Sequence, residues 1–306
     1  MSGSGGNRAI VAALGANLGI AAGKFVAFAF TGSSSMLAEG VHSTADSANQ
    51  VLLLVGGRRA LKPATPEHPF GHGRYRYLYA FLVAIVIFML GGVFALYEGF
   101  HKVRHPEHVQ SPVWAFAVLG LAVVLESFSL RTAVRESAHS RGDQSWPGFI
   151  RNARTPELVE VVLEDFGALV GLVFALVGVT LAVVTGNGVW DGVGTLAIGL
   201  LLVGVGVVLF TETSTMLLGE GATPTQTVLI REALAAQDGI RGVLHLQTTH
   251  LGPDELLIAA KVAVDPAARL GDVAAAIDAA EARVRAALPL QCVIYLEPDV
   301  ERPAPG

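Results

Sequence analysis

The sequence predicts a mainly α-helical membrane protein with six transmembrane helices, followed by a small α+β domain. Hydrophobic residues make up 52% of the 306 residues and charged residues only 15%, well below the roughly 25% charge of soluble domains. Six apolar segments reach the length of about 20 residues that a bilayer requires. They lie at residues 9–30, 34–57, 77–100, 112–132, 158–185 and 189–210. We therefore expect a transmembrane domain over residues 1–218 and a second domain over residues 219–306.

The first span follows a short segment with one Arg and no small-residue cleavage site, so we interpret it as an uncleaved helix rather than a signal peptide. Glycines recur in it at four-residue spacing, as Gly15, Gly19 and Gly23, and in the fifth span as Gly167 and Gly171. Such stripes let helix backbones approach closely. We interpret them as packing surfaces rather than substrate contacts.

The loops between the spans differ in their basic residues. The loop before the third span carries Arg58, Arg59, Lys62, Arg74 and Arg76, and the loop before the fifth carries Arg131, Arg135, Arg141, Arg151 and Arg154. The opposite loops hold only Lys102 and Arg104. By the positive-inside rule both termini lie in the cytoplasm. We expect a multi-pass protein of the lipid bilayer, in a bacterial inner (plasma) membrane.

After residue 220 the charged residues return and apolar residues alternate, which indicates a water-soluble domain. Helices are predicted at residues 225–237 and 271–288, and strands at residues 242–250, 255–264 and 291–296. This αββαβ order is typical of a small two-layer α+β domain.

Ionisable residues interrupt the second span. Glu39, His42 and Asp46 are spaced by three and four residues, so their side chains share one stripe of the helix. Ionisable groups at that depth are costly and indicate function. The spacing suits the imidazole and carboxylate ligands of zinc, although a buried polar network that only locks helices together, or a proton-carrying Glu39, fits the same pattern.

The fifth span carries a second set of acids: Glu157, Glu160, Glu164 and Asp165. Glu160 and Glu164 are four residues apart and would repel each other on one helix face, so a cation, a shared proton or a basic neighbour must relieve them. Glu157 and Glu160 could instead lie at a wet helix end. In the fourth span Glu126 is a candidate proton-pathway residue or a partner of Lys24.

The loop after the second span contains two histidines four residues apart, His68 and His72, with Glu67 beside the first. If the chain bends at Gly71 and Gly73, these side chains could hold a metal. The alternative is a pair of solvated loop histidines.

Several classes are excluded by composition. A net charge of -5 without a basic cluster gives no reason to expect nucleic acid. Cys292 is the only cysteine, so no intrachain disulfide or multi-cysteine metal site can form. No nucleophile with its base and no phosphate-binding loop is present, so we expect no enzyme and no resident cofactor.

These motifs resemble the cation diffusion facilitator family of proton-coupled divalent-metal transporters. The resemblance rests on His42 with Asp46, on the stretch HPFGHG from His68 to Gly73, on Asp165 before a glycine-rich helix, and on the αββαβ tail. It is strongest toward the branch that contains the human mitochondrial zinc transporter of group nine and its bacterial relatives. The resemblance implies a homodimer whose cytoplasmic tail is a ferredoxin-like, metallochaperone-like domain.

The resemblance also implies a transport site made of His42, Asp46 and a pair on the fifth span. Asp165 matches the second member of that pair, but the first falls on Val161, which cannot bind a metal. We expect Glu164 to fill the gap, with Glu39 as the runner-up.

Two further metal sites of the family are only partly matched. The two histidines of the family's loop site correspond to His68 and His72. The position of the family's acidic ligand is occupied by Thr65, which leaves Glu67 as the substitute ligand. The tail positions that bridge protomers correspond to Leu244, Ala260 and Leu296, so the resemblance implies a dimerisation platform with little metal affinity.

The sequence thus favours a homodimeric antiporter that exports Zn²⁺ from the cytoplasm in exchange for protons. Because the candidate ligands include more carboxylates than imidazoles, Mn²⁺, Fe²⁺ or Co²⁺ is the alternative cargo. The mismatches at Val161 and in the tail keep a transport-dead membrane scaffold or regulator as a further alternative.

Overall fold

Two compact units make up the computed structural model of the chain, which describes residues 18–106, 112–153 and 155–301. The helical unit comprises the described residues up to Gly56 together with Leu78–Ser214, and the tail unit comprises Gly57–Tyr77 and the chain from Thr215 onward. Helices precede the tail in the order α1 Leu18–Thr31, α2 Ser34–Ala60, α3 Tyr75–Arg104, α4 Pro112–Arg141, α5 Trp146–Asn152, α6 Pro156–Thr185 and α7 Val189–Leu218. The short α5 is not predicted from the sequence. Gly15, Arg154 and the start of the first predicted span lie outside the described residues.

Four of these helices, α3, α4, α6 and α7, are long and apolar enough to cross a membrane. The described part of α1 is shorter. Helix α2 has 27 residues, about 40 Å at 1.5 Å per residue, but buries the polar residues Glu39, His42, Asp46 and Asn49. Its polarity, rather than its length, separates α2 from the other long helices.

Asp191, at the start of α7, fixes the turn between α1 and α2. Its carboxylate is fully buried and accepts hydrogen bonds from the Ser33 hydroxyl (2.8 Å) and from the Ser34 backbone N–H (2.8 Å). The first N–H groups of a helix have no partner within the helix, so Asp191 satisfies a donor at the start of α2. The ammonium of Lys102 on α3 donates to the Gly32 carbonyl (2.9 Å) of the same turn.

Glycines bring α3 and α7 into backbone contact. A Cβ on Gly99 would lie 2.7 Å from the backbone nitrogen of Leu196, and one on Gly199 would lie 2.7 Å from that of Leu96. Gly92 and Gly206 are equally crowded by the facing helix. The sequence signal is a seven-residue spacing on both helices. In the predicted α1 stripe, by contrast, a Cβ added at Gly19 or Gly23 would meet no described atom within 4 Å.

A π-helical turn, Ile87–Val93, interrupts α3. Such turns are rare and often occur at functional sites. Buried apolar residues pack on both sides of it, and the core of the helical unit includes Met36, Leu119, Leu172, Ile198 and Leu202.

The tail unit has the predicted element order. It contains α8 Pro224–Ala235, β1 Ile240–Gly252, β2 Glu255–Val264, α9 Leu270–Ala287 and β3 Gln291–Asp299. The sheet order is β1-β2-β3, with β1 antiparallel and β3 parallel to β2. Thr223 and Gln226 form a capping box at the start of α8, and the core beneath the sheet includes Ile230, Leu256, Ile258, Val262 and Val284.

The segment Gly57–Tyr77 packs against the turn between β1 and β2. A Cβ on Gly73 would lie 2.8 Å from the Leu251 carbonyl oxygen, so only glycine fits this contact. The Arg76 guanidinium forms an ion pair with Asp254 at 2.7 Å. These contacts seat the segment on the tail sheet.

Asp191→Ala is expected to lower the stability of the helical unit by about 3 kcal/mol, because it leaves buried donors of Ser33 and Ser34 without an acceptor. The measurement is the thermal unfolding midpoint of the detergent-solubilised protein. Asp143→Ala, at an exposed position, serves as the control. Equal midpoints for the two variants would contradict the structural role of Asp191.

Gly73→Ala is expected to loosen the segment Gly57–Tyr77, because the added methyl group collides with the Leu251 carbonyl. Overpacking of this kind costs about 1–3 kcal/mol, so amide hydrogen exchange in the segment should accelerate about tenfold. Gly57→Ala is the control, since a Cβ there meets no described atom within 4 Å. Unchanged protection in Gly73→Ala would show that the contact does not hold the segment.

Candidate metal centre

His42 and Asp46 form the centre of the polar face of α2. His42 is 1% exposed, and its Nδ1 lies 3.3 Å from Asp46 Oδ1, one helical turn away. Among the described residues, neither ring nitrogen of His42 has a hydrogen-bond partner, and neither does Asp46 Oδ1. Buried polar atoms are nearly always satisfied, so this set of open acceptors and donors is suited to an incoming ligand.

Glu164 of α6 faces the same polar stripe. Its Oε1 accepts a hydrogen bond from the Asn49 amide at 3.2 Å, and its carboxyl group lies close to that of Asp46. Two neighbouring carboxylates repel each other when both are ionised, and a shared proton or a bound cation relieves that repulsion. The structure therefore joins α2 and α6 through a pair of acids.

Asp165 faces a different helix. Its Oδ2 accepts a hydrogen bond from the Ser129 hydroxyl of α4 at 2.9 Å, and it interacts electrostatically with Glu126, one turn earlier on α4. Successive residues of an α-helix are rotated by about 100°, from 3.6 residues per turn, so in this structure Glu164 and Asp165 point at different helices. The structure places Glu164, rather than Asp165, beside Asp46.

Glu160 lies one turn before Glu164. It is 1% exposed, and neither of its carboxylate oxygens has a hydrogen-bond partner within the described ranges. A wet helix end, one interpretation of the sequence, does not describe this environment. Glu160 is therefore as deeply buried as His42.

Glu39 is held by Lys24 of α1. The ammonium of Lys24 lies 2.9 Å from Glu39 Oε2 and donates to the Ser43 hydroxyl at 2.7 Å, and both charged side chains are fully buried. The Glu39 carboxylate thus points at α1, while its Oε1 faces Gly171 of α6, where a Cβ would lie 3.1 Å away. The glycine predicted as a packing residue therefore makes room for an ionised side chain.

Three residues around the centre are missed by sequence reasoning. Asn49 follows Asp46 by three residues and could be found from the same helical stripe. Gly91, in the π-helical turn of α3, places its Cβ position 3.8 Å from His42 Nδ1, and no sequence signal reveals that turn. Ser129 is a common hydroxyl residue in an apolar span, and only its hydrogen bond to Asp165 in the structure connects it with the centre.

The loop histidines also meet. The rings of His68 and His72 have centroids 4.7 Å apart, and His72 stacks on Tyr75. Glu67 turns elsewhere: hydrogen bonds from its own backbone N–H and from the Thr65 hydroxyl lower the pKa of its carboxyl group.

Across the part of the chain that the structure describes, no three His, Cys, Asp or Glu side chains converge in an arrangement that could hold a metal ion. The centre instead consists of linked pairs: His42 with Asp46, Asp46 with Glu164, and Glu39 with Lys24. Zinc is usually bound by four ligands, so an ion at this stripe would need further ligands from other side chains or from water.

Two family models together match most of the chain. A family model described as the cation efflux transmembrane domain matches residues 10–218, and one described as the cytoplasmic domain of cation efflux proteins matches residues 224–299. The chain is 32% identical over 245 residues to the human mitochondrial proton-coupled zinc antiporter SLC30A9, covering 79% of this chain and 43% of the human protein. It therefore spans less than half of that relative.

The chain is also similar to more distant proteins from a plant and a bacterium. Metal tolerance protein C4 of Arabidopsis thaliana is 25% identical over 257 residues, covering 83% of this chain and 56% of the plant protein. The magnetosome protein MamM of Magnetospirillum gryphiswaldense is 26% identical over 240 residues, covering 73% of this chain and 66% of MamM.

The matches confirm the resemblance to the cation diffusion facilitators. The first family model alone covers more than half of the chain and includes every acid of the candidate centre. The chain is an integral, multi-pass membrane protein, and it belongs to the cation efflux family.

Proposed function

We propose that the chain is an antiporter that moves a divalent metal ion, most favourably Zn²⁺, out of the cytoplasm in exchange for protons. The observation that carries this proposal is the contact of Asp46 with Glu164 beside the buried, unsatisfied ring of His42. An imidazole with carboxylates is a donor set that zinc accepts. The names of the human and plant relatives, a zinc antiporter and a metal tolerance protein, agree with it.

The contact between the Asp46 and Glu164 carboxyl groups supports proton coupling, because such a pair can hold one proton between them. A metal ligand must be deprotonated to bind, so an arriving ion displaces that proton, and a returning proton displaces the ion. His42 adds an exchangeable site, because imidazole titrates near neutral pH. One centre thus holds either protons or metal, as an antiporter requires.

For the ligand set we propose His42, Asp46 and Glu164, with Asp165 as the fourth ligand and Glu39 as the alternative to Glu164. Asp165 would join when a partial rotation of α6 turns it toward α2 while the longer Glu164 side chain stays within reach of the ion. Alternating access around a buried site, by movement of one helix group against another, is the general scheme for secondary transporters.

We also propose six membrane-spanning helices, with α1 and the polar α2 added to the four apolar ones, and both termini in the cytoplasm. The length of α2 and the basic loops support this arrangement. We further propose that the transmembrane domain ends at residue 218 and the cytoplasmic domain begins at residue 219. The chain would form a homodimer through its tail and lie in the inner membrane.

The cargo has a second candidate. Carboxylates outnumber imidazoles around the centre, and a harder, oxygen-rich site favours Mn²⁺, Fe²⁺ or Co²⁺. The transport-dead scaffold is motivated by Val161 and by the apolar tail positions Leu244, Ala260 and Leu296. Zinc and manganese flux into proteoliposomes under an imposed pH gradient separates these cases, because a scaffold moves neither ion.

His42→Ala is expected to abolish metal flux, and Glu164→Gln to reduce it by at least about tenfold, because each removes a ligand and a proton site. The measurement is initial flux in proteoliposomes at matched protein density. Glu136→Gln, exposed on α4, is the control. Wild-type flux in both Glu164→Gln and Glu39→Gln would eliminate these acids as ligands, and Asp165→Asn then becomes the decisive variant.

The double variant His68→Ala/His72→Ala is expected to lose one bound metal ion per chain, because the two adjacent rings would supply the nitrogen ligands of the loop site. Metal analysis of the purified protein by mass spectrometry measures the loss. Glu67→Gln should retain the ion, since the Glu67 carboxyl group is already engaged by its own backbone and by Thr65. Equal metal content in the double variant and the wild type would remove the loop site.

A further inference from the structure

Lys24 is a fully enclosed cation near the centre. Its side chain has no exposed surface, and its ammonium lies against Glu39 Oε2 (2.9 Å) and Ser43 Oγ (2.7 Å). A buried charge is costly unless it is paired and hydrogen-bonded. The pair with Glu39 satisfies that condition and joins α1 to α2.

The ammonium lies close to the candidate ligands along α2. Ser43, which accepts its hydrogen bond, is the residue after His42, and Glu39 precedes His42 by about one helical turn. Electrostatic interactions of Lys24 reach His42, Asp46 and Glu126. In a poorly polarisable interior such interactions are stronger than in water.

Glu39 is therefore the carboxylate that Lys24 neutralises. Its Oε2 is occupied by the ammonium, and its Oε1, without a hydrogen-bond partner among the described residues, lies against the space left by Gly171. Removing the ammonium would release a negative charge on the ligand stripe. Removing the carboxylate would leave a positive charge there.

We propose that Lys24 is a resident counter-cation that sets the metal affinity of the centre. It holds Glu39 outside the ligand set and repels the incoming divalent ion, so that the ion binds weakly enough to be released. This inference rests on the proposed metal transport and assigns to one buried pair the control of binding strength. Lys24 does not touch the ion; it acts through charge.

Four variants test this assignment by the sign of their effects on Zn²⁺ affinity. Each is made in the His68→Ala/His72→Ala background, so that the loop contributes no binding, and titration calorimetry of the purified protein measures the Kd for Zn²⁺. Lys24→Met should bind Zn²⁺ about tenfold more tightly, and Glu39→Gln about tenfold more weakly. The double variant Lys24→Met/Glu39→Gln removes both charges and should bind Zn²⁺ with the same Kd as the His68→Ala/His72→Ala parent. The conservative Lys24→Arg variant keeps the positive charge and should also have the parental Kd.

The outcomes separate the inference from its rivals. If Lys24 is only structural, Lys24→Met weakens binding or leaves it unchanged, and the inference is overturned. If Glu39 is a metal ligand, Glu39→Gln and the double variant both weaken binding, which also overturns it. If Lys24→Met does not fold, the other two variants decide. Weakened Zn²⁺ binding by Glu39→Gln together with parental Zn²⁺ binding by Lys24→Met/Glu39→Gln supports charge control. Any other pattern contradicts it. A parent that binds no Zn²⁺ refutes the proposed function itself.

Discussion

The structure depends on the compensation of negative charge inside the helical unit, where water does not solvate it. The described acids differ in how this is achieved. Asp191 accepts hydrogen bonds from hydroxyls and a helix N-terminus, Glu39 pairs with Lys24, and Asp46 lies beside the carboxyl group of Glu164. Glu160 has no hydrogen-bond partner for either oxygen in the described part of the chain. Charges left without a fixed partner mark the positions where a mobile cation or proton can act.

Helix α2 carries most of this compensation. Its N-terminus is held by Asp191, its middle contacts α1 through Glu39 and Ser43, and its second half contacts α6 through Asp46 and Asn49. Because one polar stripe serves all these contacts, a change of charge at His42 or Asp46 alters the contacts of α2 with its neighbours. Polar side chains of one helix therefore connect it to α1, α6 and α7.

The apolar packing shows where the helices are tightly joined. Glycines bring α3 and α7 into backbone contact, which leaves little freedom for the two helices to slide. The π-helical turn of α3 interrupts that regularity beside His42.

By itself the sequence determined the family, the order of elements in the tail, and the identity of the buried acids, because hydrophobic periodicity and intramembrane charge are local properties of the chain. Only the tertiary structure decided which helix each acid faces. Glu164 and Asp165 are neighbours in sequence, yet about 100° of helical rotation sends one to α2 and the other to α4. The pairing of Lys24 with Glu39, and the approach of Gly91 to His42, likewise depend on how helices pack, which no spacing within one helix encodes.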